Sequence, residues 1–462
     1  MLNEKVTNIK NIRKSHIPYI ITWTIFYSWL IVFFTWWITS FKNSYIFKNS
    51  NAYLLYLLFS IFIATLAFVL KQKNFKVHVV HGCLLSILIL VLYNTLPFGK
   101  HIIYLLSFTI ALTYVGLIQI FIYILNNTEK FYSVLFANFL MISVAVLQNL
   151  GILNISITKN YSFTIIVLLL SFIPVYKFNK EDYLNEEKIY AKNKTKTPKM
   201  LYFSLILNLI FLIFCRGIGR AYLLTANDLY PFNIEIYYYF GGMFGCLLLY
   251  LIFKYVKKAN SIAWNIIFSC YVFAIFLFFA SDIEQITYIF AFILGNCVTM
   301  GMCLMYYTLG IISKKYWDFK YIRYNIFIID IIGCGLGTII GNYIYSHANY
   351  YFNIIVLSAS VLISIILLSL SPILILTFFE DKWDEDSTKA VIDNANMRKF
   401  TKLNLTKKEI EVCKYILENL TVRQIAAEMK ISENTIKFHK KQIFEKLNIN
   451  SKEELIKIIE KK

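Results

Sequence analysis

Charge, proline and glycine are all scarce in this sequence. Only 16% of its 462 residues are charged, and it holds 6 prolines and 16 glycines. Soluble domains carry about 25% charged and about 45–50% apolar residues. This chain is 58% hydrophobic, with a mean hydropathy of +0.60. The shortage of charge excludes a soluble enzyme of ordinary make-up and points to a polytopic membrane protein. Paired cysteines are lacking too. The eight cysteines, at 83, 215, 246, 270, 297, 303, 334 and 413, show no C-x-x-C spacing. All but Cys413 lie in apolar runs, so they read as small buried hydrophobes, with neither a disulfide frame nor a zinc site. No paired carboxylate, metal cluster or activated nucleophile recurs on the apolar runs. An integral-membrane enzyme therefore ranks last among the readings, and neither cofactor nor metal is expected.

The hydrophobic surplus lies almost wholly before residue 380. Residues 1–379 hold 28 Lys/Arg against 12 Asp/Glu, residues 380–402 hold 5 against 6, and residues 403–462 hold 13 against 9. Most of the positive charge thus belongs to membrane loops, and the overall charge is no sign of nucleic-acid binding. Met1 to Lys14 is polar and basic, and the first apolar run is too long for a signal-peptide core, so no cleavable leader is expected. A stretch of about 20 apolar residues crosses the hydrocarbon core as a helix. Twelve such runs are expected, near 17–40, 51–70, 77–96, 101–125, 131–154, 160–178, 200–226, 232–253, 262–280, 284–312, 322–346 and 350–379. The longest internal polar segment, 179–199, splits them into halves 1–178 and 200–379. The softest boundaries are the 126–130 loop and the break near Ser281 and Asp282.

Lys and Arg resist translocation, so they mark the cytoplasmic loops. Alternate loops carry 22 of them on one side and 4 on the other. Both termini, and everything after residue 379, are therefore expected in the cytoplasm, with the chain multi-pass in a bacterial inner membrane.

Ionisable residues at membrane depth default to functional hypotheses. Arg216 and Arg220, in CRGIGR, are spaced i, i+4 and share a helix face. At about 1.5 Å per residue they lie roughly 24 and 30 Å along the seventh run, in its outer half. Glu235 opens the eighth run at a similar level. One reading is a cationic pocket holding an anionic small molecule by charge-assisted hydrogen bonds. The other is interfacial snorkelling with an Arg–Glu pair. Asp330, in the inner half of the eleventh run, suits proton coupling or ion binding as well as a hydrogen-bonded structural role. His78 and His81, and Trp36 and Trp37, read as interfacial. Gly241/Gly245 and Gly333/Gly337/Gly341 stand at G-x-x-x-G spacing, which lets helices approach closely.

After Phe379 comes a polar linker, 380–402. It reaches at most about 75 Å fully extended and roughly 25–30 Å as a flexible coil. Four short helices follow, each announced by a capping pattern: Thr406-x-x-Glu409, Thr421-x-x-Gln424, Ser432, and Ser451-x-x-Glu454. The turn between the second and third spans about three residues, which is helix-turn-helix spacing. On the third, Ile436, Ile443 and Leu447 form an apolar stripe, while Asn434, Lys437, Phe438 and Lys441 gather on the other side. Ammonium, amide and apolar groups on one face suit guanine edges, adenine edges and thymine methyls.

The C-terminal string resembles the LuxR/GerE helix-turn-helix family over about 55 residues. The motifs that carry the resemblance are L-T-x-K-E at Leu405–Glu409, Q-I-A at Gln424–Ala426, I-S-E-N-T-I-K-x-H at Ile431–His439 and K-L-x-I-x-S at Lys446–Ser451. The resemblance implies that Lys437, Phe438 and Lys441 reach bases. It places Thr435, His439 and Lys440 near the phosphate backbone, and makes Leu455, Ile458 and Ile459 a dimer surface. The sequence departs from the family in two places. Asn419 stands where a glycine is usual, and Lys440 where an apolar residue is frequent. The twelve-run, six-plus-six layout resembles the major facilitator superfamily, although Leu70–Val77 lacks the glycine, acid and arginine of that family's signature. The chain is thus expected to be all-α: a twelve-span bundle (1–379), a linker (380–402) and a four-helix DNA-binding domain (403–462). The expected function is a membrane-bound one-component transcription regulator that senses a small molecule and binds double-stranded promoter DNA as a homodimer. A transporter with an appended autoregulatory domain is the alternative.

Overall fold

The computed structural model describes residues 6–39, 58–59, 61–63, 65–66, 75–95, 99–152, 161–177, 202–229, 234–256, 259–279, 284–316, 319–326, 333, 336–347, 350–374, 405–417, 422–429, 431–447, 449 and 454. Every regular element among them is helical. The chain divides into two compact units, Met1–Glu385 and Asp386–Lys462.

The first unit contains α1 (Ile17–Thr39), α2 (Phe75–Thr95), α3 (Gly99–Tyr123), α4 (Asn127–Asn149), α5 (Tyr161–Leu170), α6 (Phe172–Lys177) and α7 (Tyr202–Leu212). After π-helical turns at Ile213–Gly219 come α8 (Arg220–Leu229), α9 (Ile234–Tyr255), α10 (Ala259–Phe279), α11 (Glu284–Tyr316), α12 (Phe319–Ile326), α13 (Gly337–Ser346) and α14 (Tyr350–Leu374). Among the described residues, five stretches are long and apolar enough to cross a membrane: Tyr104–Tyr123, Asn127–Leu147, Leu205–Ala226, Ile234–Tyr255 and Glu284–Tyr316. Shorter apolar helices occupy Lys76–Leu92, Ile262–Phe278 and Asn353–Ile366. Each of these falls on a different one of the expected apolar runs. The runs at 17–40, 51–70, 160–178 and 322–346 fall partly outside the described residues.

Helix α11 is the hub, packing on α3, α4, α9, α10 and α12. Its closest crossing is with α9. A Cβ on Gly295 would run into the Tyr238 carbonyl oxygen, and one on Gly241 into that of Phe292. Backbone touches backbone here, so the first of the glycine spacings is a packing device. Aromatic rings tie other helices together. Trp23 on α1 stacks on Phe121 of α3 within the first half, centroids 4.5 Å apart, and Tyr27 meets Tyr306 of α11 edge-on at 4.9 Å across the halves.

The second unit's described helices are α15 (Lys407–Leu417), α16 (Val422–Met429) and α17 (Glu433–Leu447). They close on a core that includes Ile410, Val412, Cys413, Ile416, Ile425, Ile436 and Ile443. Leu447, expected in the same stripe, is partly buried against it. The predicted capping box opens α15. The Thr406 backbone N–H donates to Glu409 Oε2 at 2.7 Å, and the Glu409 N–H donates to Thr406 Oγ1 at 3.4 Å. Lys446, near the end of α17, donates to both Glu409 carboxylate oxygens at 2.8 Å. One buried carboxylate therefore ties the start of α15 to the end of α17. Burial alone would raise the Glu409 carboxyl. The hydrogen bonds from Lys446 and Thr406, with the Lys446 charge, overcome that and hold it below the ordinary glutamate range. Burial against the nearby Glu409 charge has the opposite effect on Cys413, whose thiol is pushed up to about 12 and so stays protonated.

Two predictions follow from these contacts. Gly295→Ala should cost the full-length protein about 1–3 kcal/mol through overpacking, seen as a lowered thermal midpoint in detergent. An unchanged midpoint would mean that the α9–α11 backbones are not in contact. The Glu409–Lys446 pair stabilises a fragment 386–462 fully above the unfolded glutamate range, near about 4.3, and is lost as pH falls through the lower folded value. Lys446→Met should therefore cost about 2 kcal/mol at neutral pH and flatten the acid limb of the denaturation curve. Curves for wild type and variant that run parallel down to pH 2 would sink this account.

Candidate functional site

Helix α16 ends with the Ile431 N–H bonded to the Ala426 carbonyl at 3.1 Å. Ser432 then caps α17 through its hydroxyl, which accepts from the Thr435 backbone N–H at 3.1 Å. A bond back across the turn and a cap forward, one residue apart, hold the turn short and fix the direction of α17. The apolar face of α17 turns inward, with Ile436 and Ile443 fully buried. The opposite face presents Asn434, Lys437, Phe438 and Lys441, all exposed. Phe438 is 57% exposed, which is costly for an aromatic ring with no partner surface.

The expected backbone-side residues are more occupied. The Thr435 hydroxyl lies 2.7 Å from Ser432 Oγ, so it shares in the cap. His439 is half-buried, and its Nδ1 is buried with no hydrogen-bond partner among the described residues. Lys440 folds its ammonium over the Phe444 ring, 5.4 Å from the centroid. A lysine therefore serves where an apolar residue is frequent, because its stem and charge both find the ring one turn on. Lys441 stands 3.8 Å from Glu445, with both side chains more than 60% exposed. Such a pair contributes little, and the ammonium can turn to another anion. Leu455, Ile458 and Ile459 lie outside the described residues.

In the first unit, the side chains of Arg216 and Arg220, and Asp330 entirely, lie outside the described residues. The backbone around Arg216 is π-helical over Ile213–Gly219, where a continuous α-helix was expected. Such turns are frequent at functional sites. Glu235 is half-buried in the first turn of α9. Among the described residues, no group of three or more His, Cys, Asp or Glu could hold a metal ion.

A polar cluster that the sequence reading did not single out surrounds the junction of α3 and α4. Glu129 is fully buried. It accepts from the Arg13 backbone N–H at 2.9 Å, from the Arg13 guanidinium at 3.2 and 3.3 Å, and from the Asn126 N–H at 2.8 Å. His16 Nδ1 lies 3.0 Å from its second oxygen. The chain before α1 is thereby strapped to the junction, helped by Tyr132 donating to the Thr7 carbonyl at 2.7 Å. Two buried lysines then cross between halves. Lys130 donates to the Gly310 carbonyl at 2.9 Å, and Lys314 donates to the Leu125 carbonyl at 3.2 Å. Gly310 makes room for this, since a Cβ there would stand 3.0 Å from Lys130 Cδ. The sequence did carry one trace of the cluster: Asn126-x-x-Glu129 before an apolar run is a capping pattern.

Comparison with known proteins places the second unit. Residues 403–459 match the family described as bacterial regulatory proteins of the luxR family. Over 58 residues the chain is 34% identical to the response regulator protein TmoT of Ectopseudomonas mendocina, an overlap of 13% of this chain and 26% of that protein. The chain therefore spans about a quarter of the length of this curated relative. Residues 403–459 are a LuxR-type DNA-binding regulator domain, in one chain with five helices, among the described residues, that are long and apolar enough to cross a membrane.

Proposed function

We propose that the protein is a membrane-bound one-component transcription regulator. In this reading a twelve-span, major-facilitator-like bundle senses a small molecule, and the C-terminal domain binds promoter DNA from the cytoplasmic side. The observation that carries it is the exposed Asn434–Lys437–Phe438–Lys441 face on a LuxR-type domain, in one chain with membrane-length helices. Lys437 and Lys441 take guanine edges, Phe438 takes a thymine methyl, and Asn434 takes an adenine edge. Thr435, His439 and Lys440 lie along the phosphates. Leu455, Ile458 and Ile459 pair two domains on a two-part site. The name of TmoT, a response regulator, supports a signal-dependent role for the matching segment.

Sensing needs an element with two arrangements that the ligand binds unequally. The reciprocal lysine clamps support one. Lys130 and Lys314 hold the two halves together at one end of the bundle, and an anion held near Arg216, Arg220 and Glu235 would favour one arrangement over the other. Asp330 would contribute an ionisable group in the inner half. The same clamps would also close one face of a transporter, and uptake by proteoliposomes separates the two readings.

Two measurements test the proposal. Lys437→Ala or Lys441→Ala, in full-length protein in membranes, should weaken binding to its operator about tenfold or more and relax discrimination at the base pair it reads. Unchanged affinity and unchanged discrimination would remove the α17 face from the interface. Lys130→Met and Lys314→Met, in full-length protein at wild-type abundance in membranes, should each alter promoter occupancy. Occupancy indifferent to both substitutions would remove the clamps from signalling.

A further inference from the structure

Between α7 and α8 the backbone leaves the α-helix for π-helical turns over Ile213–Gly219. Their sequence, IFCRGIG, lends itself to that departure, because Gly217 and Gly219 are poor helix formers. Below the turns, rings pin α7 to α10. Phe211 meets Trp264 edge-on at 5.6 Å, and Phe214 meets Phe268 edge-on at 6.2 Å. Tyr271, about one turn further along α10, stacks on Phe214 with centroids 5.0 Å apart.

The Tyr271 hydroxyl also donates to the Phe214 backbone carbonyl at 2.7 Å. Both residues are buried. This carbonyl lies where the two helical ladders part. An α-helix pairs it with the Ile218 N–H, and a π-helix pairs it with the Gly219 N–H. A carbonyl has two lone pairs, so Tyr271 supplies a second donor from outside the helix. The fit is close, since a Cβ on Gly219 would stand 3.3 Å from the Phe214 oxygen and 3.4 Å from Tyr271 Cε2. Above the turns, Tyr222 of α8 lies against Phe278 of α10, centroids 4.6 Å apart, and its hydroxyl donates to Asn353 Oδ1 of α14 at 3.5 Å. Helix α14 is the last described element of the first unit.

We propose that Tyr271 is a positioning residue for sensing: its bond to the Phe214 carbonyl latches the α7–α8 span in the π form. With the hydroxyl engaged, Ile213–Gly219 keeps the extra residue of a π turn. With it released, the segment tightens to α-helix, and α8 turns against α7 by roughly 100°, the angle that one residue spans. Arg220 moves with α8, while Arg216 lies within the turn. An anion held between them therefore binds the two forms unequally, as sensing requires. The movement of α8 reaches α14 through Tyr222 and Asn353. The inference rests on the regulator reading above and names a two-state element at its ligand end.

The test compares the wild-type full chain in proteoliposomes with Tyr271→Phe, which keeps the ring stack and removes the donor. Ile206→p-acetylphenylalanine and Leu224→p-acetylphenylalanine, each carrying a nitroxide, flank the turn along roughly 27 Å of helix. Pulsed dipolar spectroscopy then reads how α8 is turned against α7. Tyr271→Phe should raise the share of a second distance about two- to tenfold, the weight of one buried hydrogen bond. Promoter occupancy at wild-type abundance, without the labels, should shift with it. Tyr271→4-aminophenylalanine puts an N–H donor back in the same place and should return occupancy to the wild-type level, which a packing defect would not allow. Distances unchanged by Tyr271→Phe overturn the latch. So does occupancy that ignores a shift in the distances, or that 4-aminophenylalanine fails to restore. The dipolar readout needs no DNA. A wild-type chain that occupies no promoter would therefore sink the regulator reading, while the distances alone decide the latch.

Discussion

A charge carried into an apolar bundle must be matched there, and the first unit matches its buried charges against helix ends. The carbonyls at the end of α3 have no partners within their own helix. The Arg13 guanidinium takes that of Ile124 at 2.9 Å, and Lys314 takes that of Leu125. A residue or two later α4 begins, and its first turn holds the buried Glu129. Cations thus lie at the negative end of one helix and a carboxylate at the positive end of the next. The arrangement welds the chain before α1, the α3–α4 junction and the end of α11 into one polar knot. Removing any member would leave a buried polar group without its partner, which costs far more than an exposed pair contributes.

The second unit solves the same problem on a smaller scale. Its only buried carboxylate among the described residues, Glu409, caps one helix and receives the lysine of another. With the ends of α15 and α17 fixed to each other, the position of α17 no longer depends on its own exposed face. That face is free to carry residues chosen for an outside partner. An exposed phenylalanine between two lysines is a poor surface for solubility and a good one for a base-lined groove.

Much of this was legible in the residues. The Thr406–Glu409 and Ser432 caps, the short turn and the Ile436/Ile443 stripe all follow from local sequence, because capping and periodicity act over three or four residues. Membrane-length helices were legible for a similar reason, since length and hydropathy are local sums. What was not legible is how a residue counted in a loop is used. Lys130 and Lys314 read as ordinary basic loop residues that set orientation. In the fold both are buried, and each holds a carbonyl from the other half.

The sequence alone determined that the chain has an apolar helical part and a LuxR-type DNA-binding domain, since both rest on patterns within a short window. Only the tertiary structure decided which charges are buried and which helices touch backbone to backbone at Gly241 and Gly295. Such contacts join residues more than a hundred positions apart in the case of Lys130 and Gly310. No local pattern encodes them, because they exist only once packing has brought the helices together.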